Sequence, residues 1–102
     1  MNISSSALIT NHARSRLRSR SGLNKKSVNR IADRVLDRGY QRHELSGNLR
    51  LYVDCLYRNK GKRSDNIRVY GDKVYIFVGL TLITVLQIPS ELTKNMKQMI
   101  AM

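Results

Sequence analysis

Between Asn66 and Ile88 the chain reads NIRVYGDKVYIFVGLTLITVLQI, and two Gly-x pairs, Gly71-Asp72 and Gly79-Leu80, divide this run into three short pieces rich in β-branched and aromatic residues. Gly at the first central position of a two-residue loop suits a type II′ turn, whose twist matches that of the strands it joins. The stretch is therefore read as a three-stranded antiparallel meander over 66–70, 73–78 and 81–88. Two-residue turns also fix a register. Val69 is set opposite Val74, Ile67 opposite Ile76, Ile83 opposite Ile76 and Val85 opposite Val74. Side chains alternate across a strand, so one face collects Ile67, Val69, Val74, Ile76, Val78, Ile83 and Val85, the predicted core face. The other face is expected to be half wet. It carries Arg68, Tyr75 and Thr84 in a row, flanked by Tyr70 and Lys73 on one side and by Phe77 and Leu82 on the other.

Helical periodicity governs what comes before. After a lead-in over 1–9, in which Leu8 and Ile9 can be pinned to the core, Thr10 is a fair N-cap for a helix over 11–21 closed by Gly22. Ala13 and Leu17 give that helix a narrow apolar line. Asn24 caps a second helix over 25–38, where Val28, Ile31, Ala32, Val35 and Leu36 follow i, i+3, i+4, i+7, i+8 and Gly39 supplies the C′ position. A third helix starts near Asn48, after Ser46-Gly47, with Leu49, Tyr52, Val53 and Leu56 facing inward and Cys55 read as a small buried hydrophobe. RNKGKRSDN over 58–66 is read as a basic loop. After Pro89, Ser90 caps a short terminal helix with Leu92, Met96, Met99 and Ile100 on one side. The predicted class is α+β: N-terminal helices, a three- to four-stranded antiparallel meander, and a short C-terminal helix, with all 102 residues in one domain.

Charge narrows the partner. The formal net charge is +12 and the pI ≈ 10.6, which calls for an anionic partner, nucleic acid before an acidic membrane surface. No acidic residue precedes Asp33, whereas Arg14, Arg16, Arg18, Arg20, Lys25, Lys26 and Arg30 crowd one short segment. A single cysteine excludes an intramolecular disulfide and suits a reducing compartment. The N-terminus lacks the basic region and apolar length of a signal peptide, and the uncharged stretch from Val74 to Ser90 alternates and turns as a hairpin does, not as a membrane helix. The expectation is a cytoplasmic protein without membrane contact. No His/Cys set has zinc spacing and no carboxylates cluster, so neither a metal nor a cofactor is expected.

Two histidines, His12 and His43, are available for proton transfer. His12, Arg16 and Arg20 stand at i, i+4, i+8 and form a stripe along one flank of the first helix, with Arg14 and Arg18 on the opposite, solvated flank. A His beside two guanidiniums suits phosphodiester chemistry. The imidazole takes the ribose 2′-hydroxyl proton as it attacks the adjacent phosphorus, and the arginines stabilise charge growing on the phosphoryl oxygens. Thr84 can donate a further hydrogen bond, and Tyr75 can stack on a base or meet the leaving group. Arg14, Arg18, Arg20, Lys25, Lys26, Arg30, Arg68 and Lys73 form the candidate nucleic-acid-binding set, and no residue is assigned to a metal.

The segment ITNHARSRLRSRSGL (9–23), with LITV (82–85) far downstream, resembles small prophage-borne and toxin-associated domains of the barnase–EndoU–colicin–RelE group of metal-independent ribonucleases. In that group N-terminal helices precede a small antiparallel sheet. Its motif runs His-Ala-x-x-Arg-x-x-x-Arg-Gly on a helix, with Thr in a late strand. His12, Ala13, Arg16 and Arg20 match, the glycine follows one residue late as Ser21-Gly22, and Thr84 matches the late-strand threonine. Residues 40–65 match little. The resemblance implies a RelE-like endoribonuclease, toxin or phage-encoded, that leaves a 2′,3′-cyclic phosphate and is held in check by an acidic antitoxin or immunity protein. The alternative expectation is a non-catalytic, phage-encoded inhibitor occupying the nucleic-acid channel of a host ribonucleoprotein such as a CRISPR effector. His12 separates the two, because only a catalyst needs it.

Overall fold

The computed structural model describes residues 7–21, 24–60 and 66–100. The two Gly-x pairs do turn the chain. Gly71 and Gly79 have φ of 61° and 59°, while no described non-glycine residue has positive φ, as type II′ turns require of their first and second central positions. The strands β2 (Asn66–Tyr70), β3 (Lys73–Val78) and β4 (Thr81–Gln87) pair antiparallel in sequence. A fourth strand was not placed by the sequence. β1 (Leu8–Ile9) lies parallel to β4, with Leu8 beside Thr81 and Ile9 beside Leu82. The sheet is therefore mixed, in the order β1-β4-β3-β2.

The expected register holds between β2 and β3, where Ile67 faces Ile76, Arg68 faces Tyr75 and Val69 faces Val74. It fails on β4. Phe77 pairs with Leu82 but Ile76 pairs with Thr84, so Ile83 is the extra residue of a β-bulge. Beyond the bulge Val74 meets Leu86, and Tyr75 meets Val85, not Thr84. The row Arg68–Tyr75–Thr84 thus loses its third member, and Val85 changes face.

Neither face of the sheet is wet, contrary to the expectation for the Tyr75 side. Helices α1 (Asn11–Ser21) and α2 (Lys25–Arg38) bury Ala13, Leu17, Val28, Ala32 and Val35 against Tyr75, Phe77, Leu82 and Val85. Helix α3 (Gly47–Lys60) buries Leu49 and Val53, with Leu45, against Ile67, Val69, Val74, Ile76 and Ile88 on the other face. Burying a side chain such as Phe77 or Leu17, both 0% exposed, contributes roughly 1.5–3 kcal/mol each. Two apolar helical layers need two sheet faces, and the alternating apolar residues of β3 and β4 provide both. Val78, expected in the core, is 41% exposed at the strand end.

The caps follow the sequence at the starts of the first two helices. Thr10 Oγ1 accepts from Ala13 N at 3.1 Å, and Asn24 Oδ1 accepts from Ser27 N at 2.9 Å. Gly39 has another role than the left-handed C′ residue expected, since its φ is −64°. A Cβ there would lie 2.6 Å from Val35 O and 2.9 Å from Arg68 Cβ, so glycine lets the end of α2 close on β2. Tyr40 then exchanges backbone hydrogen bonds with Val69 and covers the outer edge of β2.

Helix α3 runs on through Lys60 into the segment read as a loop, and residues 61–65 lie outside the described residues. Cys55 is exposed rather than buried, because Leu49, Val53, Leu56 and Tyr57 form the inward stripe and Cys55 falls on the other side. The C-terminus forms two single turns, α4 (Ser90–Thr93) and α5 (Met96–Met99), in place of one helix. Ser90 is the first residue of its turn, not its cap. Leu92, Met96, Met99 and Ile100 do pack inward against the α3 layer, and Ile100 bridges to Leu45. Among the described residues no helix is long and apolar enough to cross a membrane.

Candidate functional site

Local bonding brings the start of α1 to the middle of β4. Leu8 N donates to Leu80 O at 3.0 Å and Thr10 N to Leu82 O at 3.1 Å, which holds the incoming chain against β4. Thr10 then turns the chain into α1, its hydroxyl donating to Ile83 O at 3.4 Å while accepting from Ala13 N. His12, two residues later, is set on the flank of α1 that faces the bulge. Its Nε2 lies 3.3 Å from Thr84 Oγ1.

The pair is asymmetric in burial. Thr84 is 7% exposed, whereas His12 is exposed. With the proton on Nε2, the imidazole donates to Thr84 Oγ1 and leaves Nδ1 as an acceptor; with the proton on Nδ1, Thr84 donates to Nε2 instead. Either way Thr84 fixes the ring, and its hydroxyl is engaged by His12. The expected free donor is thus a positioning group. Arg16 lies one turn beyond His12, about 6 Å along the axis. It is half-buried, and its guanidinium makes no ion pair or hydrogen bond among the described residues. Arg20 belongs to α1 and Lys25 to α2, but their side chains lie outside the described residues, as does Gly22.

The remaining expected members sit elsewhere. Tyr75 is 4% exposed and packs with Ala13, Leu17 and Phe77 in the core beneath the helices. Burial, with smaller contributions from Asp72 and Tyr70, pushes its phenol up to about 12. Arg68 is bound at both ends of its guanidinium, Nε to Asn66 Oδ1 at 2.8 Å and Nη1 to Leu36 O at 2.9 Å. Leu36 O is one of the carbonyls that the end of α2 leaves without a helical partner, so Arg68 serves as a C-terminal clamp. Lys73 is paired with Asp72 Oδ1 at 3.0 Å, its side chain 14% exposed. Gln87 Nε2 also reaches Asp72 Oδ2 at 3.0 Å, and these two bonds hold the Asp72 carboxyl below its ordinary range. His43 stands in the 3-10 turn Arg42–Glu44 that leads into α3, on the opposite side of the sheet from α1.

The basic helix surface is more extended than the sequence reading made it. Arg14 Nη1 reaches Asn29 Oδ1 at 3.3 Å and ties the outer side of α1 to α2. Arg18, Lys26 and Arg30 are exposed. So are Arg34 and Arg38, which the sequence reading did not include, although the i, i+4, i+8 spacing from Arg30 was legible. Among the described residues no three His, Cys, Asp or Glu side chains converge as a metal would need.

No family matches this chain, and neither the curated proteins nor the solved structures yield a match.

Proposed function

We propose that this protein binds single-stranded RNA and cleaves it without a metal, with His12 as general base and Arg16 as phosphate ligand. The observation that carries the reading is the His12–Thr84 pair: an exposed imidazole anchored through one nitrogen, one helical turn from a half-buried arginine that has no ion pair among the described residues. An anchored ring holds its second nitrogen in a fixed direction, which is what abstraction of a 2′-hydroxyl proton needs. Attack of that oxygen on the adjacent phosphorus releases the 5′-oxygen of the next nucleotide and leaves a 2′,3′-cyclic phosphate. Arg16 would offset the charge that grows on the non-bridging oxygens. A single strand is favoured because its backbone can swing the 2′-oxygen into line with the leaving group. The acid-free first helix and the net charge of +12 support the choice of a polyanion.

A second reading keeps the RNA-binding surface and drops the chemistry. Tyr75, expected at the reacting groups, is committed to the core, and Arg68, expected at a phosphate, to the end of α2. A non-catalytic inhibitor that occupies the nucleic-acid channel of a ribonucleoprotein would keep such a basic face and use His12 only to seat α1. In a toxin the same face would be covered by an acidic antitoxin.

Purified protein is incubated with total RNA, with and without EDTA. Cleavage that persists in EDTA, ends in cyclic phosphate and disappears in His12→Ala supports catalysis. Salt-sensitive binding without cleavage, equal in wild type and His12→Ala, supports the inhibitor. Binding that is flat from low to physiological salt would sink both.

A further inference from the structure

Helix α2 carries a charged stripe on the face away from the core. Lys26, Arg30, Arg34 and Arg38 recur every fourth residue, and all are exposed. Two carboxylates stand beside them, each with one contact of its own. Asp33 Oδ1 accepts the Ala7 backbone N–H at 2.7 Å, and Asp37 Oδ2 lies 3.7 Å from Arg38 Nε. Among the described residues the guanidiniums of Arg30 and Arg34 make no ion pair and no hydrogen bond. They border a shallow open depression of ≈ 320 Å³ that Asp33, Asp37 and Arg38 complete. A second hollow, between Ser27, Ile31 and the same two arginines, adjoins them. Two guanidiniums without a direct ion pair among the described residues, about 6 Å apart along the axis, therefore flank open concave surface in which three arginines outnumber two carboxylates.

The stripe continues what α1 begins. Arg14 meets Asn29 at the helix–helix seam, one residue before Arg30, and no acidic residue occurs on α1. From His12 over the outer side of α1, across the Arg14–Asn29 seam and along α2, the surface is cationic. We infer that this path is the track of the RNA strand beyond the cleavage point, with Arg30 and Arg34 as backbone phosphate ligands outside the chemical site. The inference rests on the RNA reading above and extends it to a binding register. Guanidiniums spaced along a helix suit a regularly charged polymer, because each can hold a phosphate bidentately without reading a base.

The test uses a single-stranded 2′-O-methyl oligonucleotide of about 16 nucleotides, which lacks the nucleophilic hydroxyl and so reports binding alone. Affinity is measured from low to physiological salt for wild type, for Arg30→Gln/Arg34→Gln, and for Lys94→Gln/Lys97→Gln. The last removes equal charge from the C-terminal turns, which pack on the other face of the sheet. Thermal melts verify that each variant is folded. The arginine pair is expected to lower the log–log salt slope by about 1.4, two contacts at roughly 0.7 each, while the lysine pair leaves it unchanged. Equal losses in the two variants would mean that only total charge matters, and an unchanged slope in the arginine pair would remove the stripe from the interface. Either result overturns the inference while RNA binding itself stands. Competition by polyglutamate as strong as by oligonucleotide would assign the stripe to an acidic protein and also overturn it. Wild type that binds no oligonucleotide would instead sink the RNA reading.

Discussion

Thr84 Oγ1 lies 3.3 Å from His12 Nε2 across 72 positions of sequence. The contact exists because β1 runs parallel to β4 and delivers α1 to the bulge beside Thr84. It gives the one exposed histidine of α1 a fixed orientation. The consequences of that anchor, of the clamp at the end of α2 and of the buried Tyr75 can each be measured.

Thr84→Val keeps the side-chain shape and removes the hydroxyl. One hydrogen bond contributes about 1 kcal/mol net, and exposed His12 can turn to water when released. Stability in denaturant melts should fall by no more than about 1 kcal/mol. RNA cleavage should fall roughly tenfold, the rate equivalent of about 1.4 kcal/mol of lost positioning. Thr84→Ser should restore most of it. Full cleavage by Thr84→Val would leave the threonine a packing residue.

Arg68 and Gly39 form one junction between α2 and β2. Arg68→Gln loses the bond to Leu36 O and should cost about 1–3 kcal/mol, as hydrogen bonds of a charged group do. Gly39→Ala forces a methyl against Val35 O and Arg68 Cβ and should cost about 1–3 kcal/mol as well. Folded Arg68→Gln should keep wild-type RNA affinity. A drop in its salt slope would return Arg68 to the binding surface and count against its role as a clamp.

Tyr75 makes stability sensitive to alkali. Its phenol is raised to about 12 in the folded protein by burial, against about 10 in an unfolded chain. The unfolded state therefore loses this proton first. The stabilisation is complete below pH about 10 and is lost as pH rises toward 12. Ultraviolet titration should show a tyrosine step near pH 12, and Tyr75→Phe should remove that late step. Five tyrosines titrating together near the ordinary value would contradict the burial.

The residues of the site were legible in the sequence to different degrees. His12, Arg16 and the stripe along one flank of α1 follow from helical spacing alone. Arg34 is equally available from its place four residues after Arg30, but it lies beyond Asp33, where the acid-free segment ends. Arg68 and Tyr75 were misplaced for a common reason. A sheet face that holds Arg, Tyr and Thr in a row looks half wet until it is known that a second helical layer covers it. Cys55 shows the same limit on a helix, where its neighbours Val53 and Leu56 concealed that the apolar stripe passes it by.

What the sequence determined by itself is whatever a few neighbouring residues decide: the turns at Gly71 and Gly79, the caps at Thr10 and Asn24, the limits of α1 and α2, and the pairing of β2 with β3. Backbone sterics and local hydrogen bonding set these within one turn or one hairpin. The tertiary structure alone decided the rest. A bulge at Ile83 has no local signature, because the extra residue is tolerated only where the partner strand and the helices on both faces are already in place. β1 is two residues long and exists only because β4 offers it an edge. The meeting of His12 with Thr84 depends on both, and so it is fixed by packing between distant segments and not by any spacing in the chain.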